Sequence, residues 1–478
     1  MKNHNWIFAL VFALFLMTCS SSKPGRSNYD YSAMDRTTRK AYLSADRFLD
    51  ANTSKDSPLR LNKYTRIDTI IVDSETKHLE IHFNRNFANI PMRDNVVADI
   101  HSGLKVFLGR KFNDYTMKVY AVDYLIEDLI PNYFRGSKRS YDQSRMPKPE
   151  NRSHPLVRNI SHNWTPTSGL YNRNIALWHS HGWYYEQKLQ RWEWQRARVF
   201  QTVEDLLPMS FTLKYLVPML ENAGAQVFMP RERDLQTNEI IIDNDTPGVK
   251  PAYQEYGSNS QKWQTQERPG FAIGTPPYVS GDNPFFMGTS RYIKADTSGS
   301  AIIRWIPSLP EAGKYAVYIA YTAADSNVTD AHYTVFHTGG QTDFIVNQQI
   351  GGSTWIYLGT FDFNQDLNED IHRVELTNRS TESGNYVSAD AIRFGGGMGN
   401  ISREGQISGR PRFTEGARYY LQYAGMPDTL IYNLNEDESD YKDDYQCRAE
   451  WVNYLRGAPY GPNLDREAPG LKIPIDLS

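Results

Sequence analysis

The residues best suited to chemistry fall between Ile175 and Asp234. The stretch opens Ile175-Ala176-Leu177-Trp178-His179-Ser180-His181-Gly182, passes Val203-Glu204-Asp205, and closes Arg231-Glu232-Arg233-Asp234. An apolar run that stops at a small-residue turn bearing a histidine is how a buried strand brings a metal ligand to a sheet edge. A glutamate just before a helix supplies a second ligand. His181 and Glu204 therefore read as half of a zinc site. A hydrolytic zinc site needs three protein ligands and an open position for water. The metal lowers the water pKa toward about 7, and a nearby carboxylate moves the proton. His179, two residues from His181 on extended chain, can face the same way. The plainer alternative is a strand-end histidine and a helix-start glutamate, each simply hydrogen-bonded. Trp183, Tyr184, Tyr185, Trp192 and Trp194 suit stacking on sugar rings or ordinary packing. Arg231, Arg233 and Asp234 suit substrate contact or a structural ion pair.

These side chains need elements to hold them. Residues 175–177 predict a short buried strand. Leu189, Trp192, Arg196 and Val199 lie at helical spacing and predict a helix over 185–200. A second helix is expected over 208–223, with Leu213, Leu216, Val217 and Leu220 at i, i+3, i+4 and i+7. Pro208 suits its first turn, Pro218 should kink it, and Gly224 should end it. Residues 226–229 return as a strand. Strand, helix, strand implies parallel pairing with a right-handed crossover.

Around this stretch lie 478 residues, enough for about two to four domains. Hydrophobic content of 40% and charged content of 22% are those of a globular protein. A formal net charge of −3 gives no footprint for nucleic acid or an anionic surface. Residues 1–22 read as a signal peptide, with a basic start and a short apolar run ending Leu16-Met17-Thr18-Cys19. Cys447 is then the sole other cysteine. Residues 23–59 read as a tether with a short helix, and 60–135 as a small α+β unit holding His78, His82 and His101 as half-buried side chains. Residues 135–172 read as a long loop. From 253 to 397 short strands recur between Gly, Pro, Asn and Ser turns, the rhythm of an all-β sandwich. Residues 408–478 return to α/β, with a strand at 429–432, a helix at 440–455 and a last strand at 472–477. The acidic run 435–440 reads as a solvated helix start.

Family likenesses rest on these same residues. The run ending at Cys19 resembles a bacterial lipobox, which implies a lipidated Cys19 and a membrane-anchored lipoprotein of the cell envelope, facing the periplasm or the surface. The strand with Ser180-His181-Gly182, Glu204, the helix ending Ala223-Gly224-Ala225, and Arg231-Glu232-Arg233-Asp234 together resemble the zinc-dependent N-acetylmuramoyl-L-alanine amidases over residues 172–245. That resemblance implies His181 and Glu204 as zinc ligands, with His179, Trp183, Arg231 and Asp234 beside the metal or the substrate. Ser180 stands where the family has Gly, Pro230 where it has Thr, and His179 where it has Pro. Residues 253–397 resemble the golvesin C-terminal-like domain, itself similar to a xanthan-lyase carbohydrate-binding module. The likeness rests on Val387-Ser388-Ala389-Asp390-Ala391-Ile392-Arg393-Phe394-Gly395-Gly396-Gly397. The implied fold class is multidomain α/β plus all-β: an incomplete amidase-like sheet, its second part at 408–478, interrupted by an inserted sandwich and preceded by a small α+β unit. The amidases carry a third ligand in a Ser-x-His motif, expected just past Ser478, so the chain is expected to be truncated. Two functions follow. One is a peptidoglycan amidase. The other is a non-catalytic carbohydrate-binding envelope lipoprotein, or an accessory to polysaccharide degradation.

Overall fold

A computed structural model describes residues 29–143, 154–161, 169–196, 198–245, 252–258, 261–367, 370–457 and 470–478. Cys19 and the expected signal segment lie outside them. The chain divides into two units, Met1–Glu150 and Asn151–Ser478.

In the first unit, Ile67–Asp73 pairs antiparallel with His78–Phe83, and His78–Phe83 pairs parallel with Thr116–Ala121. The helix Asp94–Leu108 supplies the crossover that a parallel pair needs. Leu79, Ile81 and Phe83 alternate inward with strand period. The helix Arg36–Ala51 is capped by Asp35, whose carboxylate accepts from the Thr37 and Thr38 amides. It buries Ala41, Ala45, Phe48 and Leu49 in the same core as the sheet. The short helix expected within residues 23–59 is thus a structural layer of this unit. His82 stacks on Tyr120 and His101 meets Glu127 at 2.7 Å.

In the second unit, two sheets share one core. The six-stranded sheet runs Tyr253–Tyr256, Ile302–Trp305, Arg373–Thr377, Ala331–His337, Gly340–Val346, Val157–Asn159. The four-stranded sheet runs Ile240–Ile242, Ile392–Phe394, Gly313–Ile319, Ile356–Phe363. Trp305, Tyr333, Val335 and Leu376 from the first meet Tyr315, Val317, Ile319 and Phe394 from the second. A further sheet joins Gln264–Gly270, Gly288–Lys294 and Tyr386–Ala389. This is the expected sandwich with two strands more than its sequence window. Val157–Asn159 comes from the expected loop and Ile240–Ile242 from the expected α/β part. Both lie on sheet edges, where an unpaired ladder invites a strand from elsewhere in the chain.

Beside the sandwich, Asn174–Ala176 pairs parallel with Gln226–Phe228, as strand-helix-strand requires. The intervening helix is Leu206–Phe211, a wide turn at Thr212–Leu216, then Val217–Asn222. Pro218 has no N–H to give, and the wide turn before it absorbs the lost bond. Gly224 ends the helix at φ +99°, and a Cβ there would lie 2.7 Å from the Tyr171 Cα. Of the expected last strand, Leu477 alone bridges, parallel to Ile175.

Three local expectations differ from the structure. Residues 185–200 form no helix: Trp183–Glu186 and Arg191–Trp194 make an antiparallel hairpin. Its cross-strand pairs Trp183–Trp194 and Tyr185–Trp192 are aromatic, and Gln190 takes φ +49° in the turn. Aromatic pairing outweighed a chance helical spacing. Asp428–Tyr432 is a wide helical turn after Pro427, not a strand. The acidic run is solvated only in part: Glu436 and Glu438 are exposed, while Asp440 is buried and binds Arg403 at 2.7 Å. The helix it begins, Asp440–Arg456, packs on Ala417–Tyr423.

Candidate functional site

The parallel strands end at His179-Ser180-His181, and the residues around them form a cluster of opposed charges. The carboxylate brought to His181 is Asp205, with Oδ1 3.6 Å from Nδ1. Glu204 is exposed and reaches His181 only as a nearby negative charge. Arg196 donates from Nη2 to His181 Nε2 at 2.9 Å, and its backbone N–H donates to Asp205 Oδ2 at 3.2 Å. The Arg196 bond makes Nε2 the acceptor of a neutral imidazole, so Nδ1 carries the hydrogen. Burial, then the Arg448 and Arg196 charges, hold His181 below its usual pKa. Burial pushes Asp205 up to about 6.

The other sequence-predicted residues hold the cluster together. Arg231 is buried and donates to two segments: to Glu415 O at 2.7 Å and Phe413 O at 3.0 Å on one, and to His181 O on the other. His179 is buried with neither ring nitrogen hydrogen-bonded, and burial with Arg231 and Arg448 holds it far below its ordinary pKa. Asp234 turns away from the cluster and accepts from the Ala316 amide at 2.7 Å, a sandwich contact. Trp183 sits under the Arg410 guanidinium, 4.1 Å from its ring centre, so its face is already covered. Ser180 takes φ +126°, a backbone region that favours glycine. Gly182 has no such freedom of replacement, since a Cβ would lie 2.6 Å from the Glu415 carbonyl carbon. Asp444, held by Gln195 at 2.8 Å and by Arg448, was not legible in sequence, being some 250 residues away along the chain.

The cluster does not fit zinc. The His181 lone pair is taken by Arg196, and the described residues contain no group of three or more His, Cys, Asp or Glu able to hold a metal ion. What the arrangement can do is hold a proton on Asp205 up to about pH 6, beside an imidazole whose own pKa is lowered.

A second site lies on the outer face of the six-stranded sheet. The register places Arg158 opposite Ile345, Ile345 opposite His332, and His332 opposite Thr377. Arg379 follows two residues on. Together with His154, Thr329, Asp330 and Ser380 these residues line an open groove of about 620 Å³. Asp330 is engaged, accepting from Thr381 N at 3.1 Å and Thr381 Oγ1 at 2.9 Å. Among the described residues, neither the Arg158 nor the Arg379 guanidinium has a hydrogen-bond or ion-pair partner. Burial, with both arginines adding to it against Asp330, keeps His332 below its usual pKa. The groove thus offers two planar donors and an imidazole on one face of the sheet, Arg158 and His332 on one row and Arg379 just past its end. Sequence reading missed it because its residues stand on three separate strands, one of them outside the expected sandwich.

One family comparison falls on this sandwich. The Golvesin C-terminal domain matches residues 279–396. A xanthan lyase from Bacillus sp. (strain GL1) is 32% identical over 108 residues, 22% of this chain and 11% of that protein. The chain therefore corresponds to about a tenth of that relative's length. Among solved structures, a Paenibacillus xanthan lyase aligns over 33% of this chain and 13% of its own, with 23% identity and a TM-score of 0.26. The C-terminal CBM6 of LamC from Zobellia galactanivorans aligns over 33% of this chain and 99% of its own, with 12% identity and a TM-score of 0.20. Residues 279–396 of the sandwich are thus similar to the Golvesin C-terminal domain, and the chain as a whole is similar over 22% of its length to part of a xanthan lyase.

Proposed function

We propose that this chain is a glycan-binding protein of the bacterial cell envelope, and that the sandwich face around Arg158, His332 and Arg379 takes a carboxylate-bearing polysaccharide. The observation that carries this reading is the pair of guanidiniums, unpartnered among the described residues, that line one groove of a sandwich whose residues 279–396 match the Golvesin C-terminal domain. A guanidinium fork pairs a sugar carboxylate in a bidentate way and donates to vicinal hydroxyls when the carboxylate is absent. The xanthan lyase relative supports a role with polysaccharides. Strand Val157–Asn159 gives the groove a cation from outside the matched residues. Acyl chains on Cys19 would hold the protein at the membrane, with the glycan as its partner. Hydrolysis of the muramoyl–alanine amide is not carried into this proposal, because Arg196 holds the His181 nitrogen that a metal would need.

Affinity electrophoresis of the full chain tests the reading. Gels containing acidic polysaccharide should retard the protein more than neutral ones or insoluble peptidoglycan should deplete it. The Arg158→Ala/Arg379→Ala double variant should lose most of that retardation. Equal migration of both proteins in every gel, with no peptidoglycan depletion, would overturn it. For the anchor, Cys19→Ala should move the protein from the membrane fraction to the soluble one.

A further inference from the structure

The edge strand Val157–Asn159 lines two cavities, the polar groove and a second one of about 560 Å³. That volume lies within the roughly 300–1,000 Å³ of small-molecule sites. The walls of the second cavity include Phe344, Ile356 and Leu358 of the sandwich and Leu421, Trp451 and Ile473 beyond it. All six are buried members of one core cluster. Here that core stops short of close packing. An apolar void of this size forfeits dispersion contacts along its lining and offers water few partners. An apolar ligand restores the contacts.

The charged side chains deep in the wall are already engaged with protein atoms. Arg233 donates from Nη2 to Glu221 Oε2 at 2.9 Å and lies 3.8 Å from the Tyr357 ring centre. Arg231 gives its donors to the Glu415, Phe413 and His181 carbonyls. Arg158 differs. It is exposed, its guanidinium has no hydrogen-bond or ion-pair partner among the described residues, and with Pro155 it lines both the cavity and the groove. Val157–Asn159 is the last strand of its sheet, so the two spaces meet around that one strand. A free cation therefore stands where an apolar cavity opens toward a polar groove.

We infer that the cavity takes the acyl chain of an amphiphile whose anionic head pairs with Arg158. The chain leaves water against aliphatic and aromatic walls. The planar fork of Arg158 receives a carboxylate or phosphate head in a bidentate way. The inference rests on the glycan reading only through Arg158, and it adds a tail to the ligand: a saccharide carried on such a head runs into the groove toward Arg379.

Displacement of the neutral fluorescent probe N-phenylnaphthylamine tests it, on the delipidated full chain carrying Cys19→Ala so that no acyl chain of its own competes. The probe should brighten on binding, and palmitate should displace it. Arg158→Ala should weaken palmitate about 10-fold and remove its advantage over hexadecanol, which has the same chain and no charge. Leu358→Trp fills part of the cavity and should weaken palmitate by about 10-fold or more. Phe228→Trp, at a half-buried position on the same wall, gives that reading if Leu358→Trp does not fold. No palmitate binding by the chain with its cavity intact would overturn the inference, as would unchanged palmitate affinity in Arg158→Ala or in the filled variant. Retardation in acidic-polysaccharide gels without palmitate binding sinks this inference and leaves the glycan reading standing. Palmitate binding without retardation does the reverse.

Discussion

Arg393 donates from Nη1 to Glu232 Oε2 at 2.7 Å, with neither side chain exposed to solvent. The bond joins the sandwich strand Ile392–Phe394 to the Arg231-Glu232-Arg233-Asp234 segment that follows the parallel strand pair. Glu232 Oε1 is equally committed, accepting from the Arg233 and Asp234 amides at 2.8 Å. The Arg393 guanidinium lies 3.8 Å from the Tyr318 ring centre. The sequence-predicted site and the sandwich are therefore one packed body, riveted by a buried ion pair. Truncating one member leaves the other charge buried and unpaired. Glu232→Ala should lower the unfolding free energy by about 3–5 kcal/mol in a urea titration. Replacing the pair with apolar residues of matching volume should cost far less.

The turn between the two histidines should respond in opposite ways at adjacent positions. Ser180 holds φ +126° without the freedom of glycine, so Ser180→Gly should stabilise by about 1 kcal/mol. Gly182→Ala places a Cβ 2.6 Å from the Glu415 carbonyl carbon. Backbone must move to admit it, at a cost of about 1–3 kcal/mol or more. Chemical denaturation of the two variants side by side checks the contrast.

Asp205 gives a pH prediction with a definite sign. Its carboxyl is pushed up from 3.8 to about 6 in the folded chain by burial, with Glu204 adding to the rise and Arg196 and Arg231 opposing it. His181 faces it, and burial with the Arg448 and Arg196 charges holds its pKa below the usual value. The folded state therefore holds the proton more tightly than the unfolded state. That contribution to stability is full below pH 3.8 and is lost as pH rises through about 6. The stability difference between Asp205→Asn and wild type should shift in favour of the variant by roughly 2 kcal/mol between pH 4 and pH 7. A difference that is flat with pH would show that Asp205 ionises normally.

The groove separates charge from shape. Arg158→Lys and Arg379→Lys keep the cation but lose the planar fork, so each should weaken acidic-glycan binding by roughly 3- to 10-fold. Alanine at either position should weaken it about 10-fold or more. Retardation at graded polysaccharide concentrations measures both. Neither change should move the Tm by more than about a degree, since both side chains are exposed and make no internal bond.

Arg231→Met tests the cluster as architecture. Its guanidinium serves carbonyls of Ser180-His181, Phe413 and Glu415 from a fully buried position. Methionine fills the volume but leaves those carbonyls without donors, at about 1–3 kcal/mol for each group that water cannot reach. Loss of cooperative unfolding in near-ultraviolet circular dichroism is the expected result.

The sequence by itself determined what short-range periodicity can determine. Alternation in Tyr333, Val335 and their neighbours set the sandwich strands, and Val217 and Leu220 set the helix ahead of Gly224. The parallel pairing of residues 174–176 with 226–228 followed from strand-helix-strand order. Only the tertiary structure decided which groups meet. It put Asp205 rather than Glu204 against His181, set Arg196 on the ring nitrogen, and made a hairpin of residues 183–194 because Trp192 packs on Tyr419 and Tyr185. It also lent Arg158 to the sandwich. Backbone periodicity is a property of neighbours three or four residues apart. The partner of a buried charge is chosen by desolvation, and that choice acts across the whole chain, between residues that one sequence window never contains together.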